Sequence, residues 1–186
     1  FPDLVCKVFS FKGKELTARQ LSEAIHNGES WEQYESMTDV VLNPAACYPV
    51  YPSFTGTVPR EGKLVTMFNW VFRNEPSQEP TRMQSFRVRE FVRCGTPDQV
   101  VEWRDMWLQR GLHLLESLGL PAHSEVASDP FFGKGGKMLA ASQRQQKLKF
   151  EVTAPVISEE KPTALCSFNF HQEHFGEAFH IRTEDG

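Results

Sequence analysis

The sequence lacks the features of a membrane-spanning or exported protein. None of its apolar runs approaches the roughly 20 residues that a helix needs to cross a bilayer. Its first residues also do not show the charged and apolar regions of a signal peptide. These absences predict a soluble protein of the cytoplasm with no membrane contact.

Cysteine and net positive charge are also scarce. The cysteines, at positions 6, 47, 94 and 166, are irregularly spaced and form no CxxC pair, which excludes a small disulfide framework and a zinc ribbon. Lysine and arginine number 20 against 24 acidic residues, for a formal net charge of −4. A nucleic-acid surface needs clustered positive charge to displace counterions, so this balance argues against a broad RNA- or DNA-binding face.

Aromatic residues, by contrast, are plentiful. The 186 residues include 15 Phe and 4 Trp. This length lies in the ordinary range of one domain and is sufficient to bury a substantial core. We therefore expect a single domain over residues 1–186 with an aromatic-rich interior.

The stretch from 68 to 93 reads as two strands joined by a loop. Residues 68–75 and 84–93 alternate between apolar and polar side chains, and the prolines of the intervening PSQEPT cannot donate to a ladder. Pairing the strands brings together on one face an arginine, two glutamates and a phenylalanine: Arg73, Glu75, Phe86 and Glu90. A guanidinium binds phosphate oxygens and an aromatic ring can stack on a nucleobase, although the same pattern also suits a merely solvated hairpin.

Helices are predicted on either side of this hairpin. Residues 14–27 carry a possible capping box at Thr17 and Gln20, and residues 31–38 suggest a shorter helix. The clearest signal is Thr96, Pro97 and Gln99, which together predict the start of a long helix running to residue 118. Further strands are expected at 147–152 and 164–171, with the long helix laid across an antiparallel sheet.

The segment from 129 to 140 contains three glycines in FFGKGGKMLA. Glycine-rich segments beside lysine can wrap phosphates, but this one fails the P-loop pattern in its glycine spacing and in lacking Ser or Thr after Lys137. Taken alone it predicts only a flexible turn. Later in the chain, the motif HQEH at 171–174, which includes Glu173, does not have the spacing of metalloprotease motifs, so a protease is excluded.

Four stretches of the chain resemble a known family. Motif 2 of the class II aminoacyl-tRNA synthetases is similar to Phe72-Arg73-Asn74-Glu75 followed by Arg82, Phe86, Arg87, Glu90 and Phe91. Together with that block, AACYPVYP at 45–52, DPFFGKGGKMLAASQRQQKLKFE at 129–151 and EKPTALCSFNFHQEHFG at 160–176 resemble the amino acid:[carrier protein] ligases. That family is related to the zinc-containing seryl-tRNA synthetases of methanogens.

The resemblance implies an α+β fold, an antiparallel sheet flanked by helices as in the class II synthetase catalytic core. The core is expected to be incomplete, since neither motif 1 nor motif 3 is found whole. ATP binding by this stretch alone is therefore in question, as is the homodimer that the family forms.

The resemblance also implies a set of site residues. Those expected to contact ATP are Arg73, Glu75, Arg82, Met83, Phe86, Lys137, Met138, Leu139, Ala140, Glu151 and Glu173. Arg73 and Glu75 would also be catalytic, and Glu151 would hold Mg²⁺, unless it is only an ion-pairing surface glutamate. Zinc would be held by Cys47, Glu90 and Cys166, with Glu90 also contacting the amino acid. From the residues alone, a lone cysteine among apolar residues such as Cys47 is more often a buried small apolar side chain than a metal ligand.

The implied reaction is ATP-dependent activation of a small amino acid, glycine or alanine, followed by transfer to the phosphopantetheine thiol of an acyl carrier protein. Two alternatives stay open at this point. One is aminoacylation of tRNA, which the acidic charge disfavours, and the other is a non-catalytic remnant that binds a partner.

Overall fold

The structure, a computed structural model, describes residues 4–11, 15–129, 131 and 133–184, without the side chains of residues 15–17. Lys14, where the first predicted helix begins, lies outside the described residues. The chain divides into two compact units. One, the larger unit, comprises residues 1, 47–68 and 89–186, and the other, the smaller unit, comprises residues 2–46 and 69–88. Whether they act as one catalytic domain stays a prediction.

The smaller unit begins with an antiparallel pair of strands, β1 (Lys7–Phe11) and β2 (Glu35–Val41), connected through helix α1 (Glu15–His26). Because α1 begins at Glu15, Thr17 lies inside the helix, and its predicted role as the cap is wrong. A single 3₁₀ turn at Glu32–Tyr34 replaces the helix predicted over 31–38. Pairing with β1 explains the difference, since Ser36 and Met37 lie in register with that strand.

Strands β4 (Lys63–Phe72) and β5 (Ser85–Cys94) pair with each other and run through both units. This confirms the two-stranded ribbon that the alternation predicted. The first strand ends earlier than expected, however, so Arg73 and Glu75 follow β4 rather than lie within it. The amide of Arg73 still donates to the carbonyl of Gln84, at 2.8 Å, which continues the pairing one residue beyond the strand.

The larger unit is built on the three-stranded antiparallel sheet β6–β7–β8. Its strands are β6 (His123–Val126), β7 (Lys149–Ala154) and β8 (Thr163–Asn169). A parallel pair, β3 (Gly56–Val58) with β9 (Ile181–Thr183), adds a contact that the expected antiparallel sheet did not include. Among the described residues the strands thus form four separate sheets.

Helix α2 (Pro97–Ser117) is the long helix predicted from its cap. The full capping box is present, with Thr96 accepting from the Gln99 amide and the Gln99 side chain accepting from the Thr96 amide. The helix packs on the three-stranded sheet so closely that a Cβ added at Gly111 would lie 2.8 Å from the Phe168 ring. This packing buries Leu108 and Val152.

Two further helices complete the larger unit, α3 (Gly136–Gln145) and α4 (His174–Phe179). The glycine-rich segment forms a bend and a turn at residues 133–135, as its composition suggested, and then enters helix α3 at Gly136. Together these elements confirm the predicted α+β class. Within the described residues, no helix is both long and apolar enough to cross a membrane.

Candidate active site

Arg73 and Phe86 meet in the smaller unit, as the strand pairing predicted. The Arg73 guanidinium lies 5.5 Å from the centroid of the Phe86 ring, and its Nε donates to the carbonyl of Pro44 at 3.1 Å. Two contacts thus hold the half-buried Arg73 side chain before any ligand arrives. A guanidinium held in this way is suited to bind a phosphate without first losing side-chain freedom.

Glu75 and Arg82 form a second pair in the same unit. Nη1 of Arg82 lies 3.7 Å from Oε2 of Glu75, and its Nε lies 4.0 Å from Glu79. The Arg82 side chain is 53 % exposed, so these contacts are worth little and can be exchanged for a ligand. Met83, the remaining candidate here, is exposed.

In the larger unit, two of the three predicted zinc donors are neighbours. The amide of Cys47 donates to Oε2 of Glu90 at 3.1 Å. Burial and the adjacent Glu90 carboxylate raise the pKa of the Cys47 thiol to about 12. Tyr51, which sequence reasoning missed, hydrogen-bonds the same thiol. Its buried ring stacks on Phe175 with centroids 3.7 Å apart.

Cys166 does not complete this cluster. It lies opposite Val152 in the β7–β8 register, while Ser167 lies opposite Glu151. Directly opposed residues of an antiparallel pair point to the same face and successive residues alternate, so Cys166 shares the face of the fully buried Val152. Among the described residues, no group of three His, Cys, Asp or Glu side chains could hold a metal ion.

The donor types of Cys47 and Glu90 nevertheless fit zinc, since thiolate and carboxylate are both zinc ligands. Of the three predicted zinc donors, the structure brings together Cys47 and Glu90 but not Cys166. The sequence offered no means of seeing this, because strand register decides which face Cys166 occupies.

Glu151 is held by a lysine. Nζ of Lys149 lies 2.9 Å from Oε1 of Glu151 and 2.8 Å from Oδ1 of Asp129. The two residues share a face of β7, as the two-residue spacing predicted. Lys149 is buried, at 9 % exposed, and the Glu151 side chain is 26 % exposed, so the ion pair is not fully solvated. Asp129 was missed altogether, although it opens the DPFFGKGG segment.

The remaining candidates lie on the helices of the larger unit. Residues 137–140 form the first turns of α3, where Met138 is 78 % and Leu139 53 % exposed. Glu173 is the N-terminal cap position of α4, but its side chain makes no capping hydrogen bond. These side chains are accessible to a ligand, and their contact with ATP stays a prediction.

Comparison with known proteins identifies relatives of this chain. No protein-family model matches the chain. Over its whole length it is 44 % identical to "Amino acid--[acyl-carrier-protein] ligase 1" of Bradyrhizobium diazoefficiens. It is 43 % identical to ligase 2 of the same organism over 97 % of its length. The chain spans 58 % and 55 % of these two relatives. "Type-2 serine--tRNA ligase" of Methanocaldococcus jannaschii is 34 % identical over 78 % of the chain and 30 % of that protein.

Two solved structures share the fold. The seryl-tRNA synthetase of M. kandleri, determined with A. aeolicus tRNASec, matches all of this chain and 39 % of its own with a TM-score of 0.74 at 22 % identity. The synthetase of Pyrococcus horikoshii complexed with ATP matches 80 % of this chain and 33 % of its own, with a TM-score of 0.60 at 16 % identity. These matches confirm the predicted class II synthetase-like fold.

Proposed function

The chain is related over its whole length to the amino acid–[acyl-carrier-protein] ligases, and from this premise we propose that the protein activates a small amino acid with ATP and loads it onto a carrier protein. The observation that carries the proposal is the 44 % identity along the entire chain to a ligase of that name. The geometry of the smaller unit supports it, because Arg73 and Phe86 are already in contact there.

The proposed reaction has two steps. The carboxylate of the amino acid attacks the α-phosphorus of ATP, and pyrophosphate leaves, so that an aminoacyl-adenylate forms. The phosphopantetheine thiol of the carrier protein then loses its proton and attacks the acyl carbon, and AMP leaves as the thioester forms. The first step needs orientation and charge neutralisation more than it needs a protein nucleophile.

The residues of the smaller unit would bind the nucleotide. Arg73 would neutralise charge on the α-phosphate, and Phe86 would stack on the adenine ring. Glu75 would accept from the adenine amino group after its weak contact with Arg82 is exchanged. Arg82 and Met83 would then contact the nucleotide from the same loop.

The residues of the larger unit would bind the rest of the substrates. Glu90, whose carboxylate now accepts from the Cys47 amide, would also accept a hydrogen bond from the α-amino group of the amino acid. Glu151 would hold Mg²⁺, which neutralises phosphate charge when bound with ATP. Residues 137–140 and Glu173 would add contacts to the nucleotide.

We propose glycine or alanine as the amino acid. A closed pocket rejects larger side chains by clash, whereas one methylene changes binding by only about 1–3 kcal/mol. ATP/pyrophosphate exchange with each of the common amino acids tests this. We expect exchange with glycine and alanine and none with larger residues. Exchange with none of them would favour the non-catalytic remnant, and exchange with serine alone would favour a synthetase.

The acceptor separates the carrier-protein ligase from the second candidate, a tRNA ligase, which the type-2 serine–tRNA ligase relatives favour. The net charge of −4 supports the carrier protein. With labelled amino acid, we expect label on a carrier protein that bears phosphopantetheine, released by hydroxylamine, and none on the same carrier without the arm. Label on tRNA in place of the carrier would reverse the assignment.

Zinc bound by Cys47 and Glu90 is part of the proposal, and it would supply a Lewis acid for the amino group of the substrate. The donor chemistry supports these two residues, while the strand register gives no support to Cys166. Metal analysis of purified protein should find about one zinc per chain, lost on Cys47→Ser. Cys94→Ser, a half-buried cysteine outside the set, serves as the control and should keep its zinc.

The Cys166→Ser variant tests whether Cys166 is the third zinc donor. The register predicts that this variant also keeps its zinc, whereas the sequence resemblance predicts its loss. A zinc-free wild-type protein would remove zinc from the proposal without affecting the rest. Homodimer formation and a cytoplasmic location stay predictions.

A further inference from the structure

A buried ion cluster lies on the face of β7 that carries Glu151. Its centre is Lys149, whose ammonium group lies 2.8 Å from Oδ1 of Asp129 and 2.9 Å from Oε1 of Glu151. The Lys149 side chain is 11 % exposed, whereas those of Asp129 and Glu151 are 22 % and 26 % exposed. The cluster therefore reaches the surface through its carboxylates, not through its lysine.

Asp129 is in turn fixed by helix α3. Nε2 of Gln143 donates to Oδ2 of Asp129 at 2.9 Å, and the amide of Asp129 donates to Oε1 of Gln143 at 2.7 Å. These two bonds join the helix to Asp129, and Lys149 continues the connection to Glu151. A continuous series of contacts thus links helix α3, which begins at Gly136, to Glu151, the proposed magnesium ligand.

The pKa shifts of Lys149 and Asp129 both favour the charged form of the side chain. Burial works to lower the pKa of Lys149, but its hydrogen bonds to Asp129 and Glu151 more than offset this and raise the pKa above its ordinary value. Burial likewise works to raise the pKa of Asp129, but hydrogen bonds from Lys149 and Gln143 hold it below its ordinary value. By formal charge, the two carboxylates and the one ammonium group that contact one another here sum to −1, which suits a site that receives a cation.

We propose that Lys149 is a positioning residue for Glu151: it fixes one oxygen of that carboxylate, with Asp129 as its anchor, so that Glu151 is oriented for the magnesium of Mg·ATP. This inference rests on the proposed function, because it takes Glu151 as a contact of the nucleotide's metal. Lys149 itself touches neither ATP nor the metal and acts through Glu151.

The cluster could have a different purpose, since a buried lysine between two carboxylates also stabilises a fold. The structural role and the positioning role predict different effects of a Lys149 substitution on the dependence of activity on Mg²⁺. A structural lysine affects stability and leaves the dependence on Mg²⁺ unchanged. A positioning lysine changes the response to Mg²⁺, and its loss adds no further defect once Glu151 is gone.

The test is a double-mutant cycle in the full-length protein with Lys149→Met, Glu151→Gln and the double variant. Lys149→Arg tests rescue by a conservative change. Lys147→Met, an exposed lysine two residues away, is the matched control. ATP/pyrophosphate exchange is measured against Mg²⁺ concentration, at a temperature where circular dichroism shows each variant folded. Calorimetry measures ATP binding with Mg²⁺ and with EDTA.

We expect Lys149→Met to lower exchange roughly 10- to 100-fold and to raise the half-saturating Mg²⁺ concentration, because loss of a partner that orients a metal ligand has effects of this size. Lys149→Arg should recover most of the rate, and Lys147→Met should match wild type. The double variant should be no slower than Glu151→Gln alone. Only the magnesium-dependent part of ATP affinity should weaken in Lys149→Met.

Other results would overturn the inference. Independent losses that multiply in the double variant, or a Lys149→Met defect unaffected by Mg²⁺, would show that Lys149 does not act through Glu151. If Lys149→Met does not fold, Asp129→Asn, which weakens the anchor of Lys149, is used for the same magnesium titration. A wild-type protein that lacks exchange but binds Mg·ATP in a Lys149-dependent manner would contradict the proposed function and support this inference.

Discussion

Replacing Arg73 by Ala is expected to lower ATP/pyrophosphate exchange by about 10²- to 10³-fold, the usual effect of removing one preorganised donor to developing charge. The structure adds a reason for so large a loss. Arg73 is held by the Pro44 carbonyl and by the Phe86 ring, so its guanidinium is in place before the nucleotide binds. Steady-state exchange at saturating amino acid measures the effect.

Arg89→Ala is the matched control for this prediction. Arg89 also lies over a ring, 5.1 Å from the centroid of Phe68, and donates to Thr66, but it is exposed and has no proposed role in the site. This variant should retain the wild-type rate. Arg73→Lys should recover part of the activity, because it restores the charge without the paired donors. An Arg73→Ala variant that is folded and as active as wild type would remove this residue from the mechanism.

Replacing Gly62 by Ala is expected to destabilise the larger unit by roughly 2–5 kcal/mol, from a disfavoured backbone conformation and a steric clash together. Gly62 has φ of +76°, and an added Cβ would overlap the carbonyl oxygen of Cys94. That oxygen belongs to the backbone at the end of β5, so it cannot rotate away as a flexible side chain can. Thermal unfolding should show a midpoint lower by about 5–15 °C.

Gly119→Ala separates the two contributions to this loss. Gly119 has nearly the same conformation, φ +77°, but an added Cβ there meets nothing within 4 Å. The control should therefore lose only the conformational part, about 1–2 kcal/mol. Equal shifts in the two variants would contradict the clash and show that the chain near Cys94 relaxes at little cost.

Several parts of the fold could be predicted because their signals are local. The start of α2 follows from Thr96, Pro97 and Gln99, whose mutual hydrogen bonds form within a few residues of one another. The ribbon of β4 and β5 follows from alternation, which is a property of each strand by itself. The contact of Arg73 with Phe86 then follows from pairing those two strands.

Other features could not be predicted because they depend on distant pairing. Residues 35–38 look helical in isolation and form a strand only because β1 is beside them. The parallel pair of β3 with β9 joins segments more than a hundred residues apart, as Gly56 and Ile181 show. Pairing between such distant segments requires a long loop to close, and neither segment carries a local sequence pattern that identifies its partner.

The same distinction between local signals and distant pairing applies to the candidate site. The sequence by itself determined which chemical groups are available, namely the Arg73 guanidinium, the Cys47 thiol and the carboxylates of Glu90 and Glu151, because their identities and motif spacing are local facts. The tertiary structure alone decided which of them meet. Strand register turned Cys166 to the face of Val152, and tertiary packing brought Asp129 against the ammonium group of Lys149, next to Glu151.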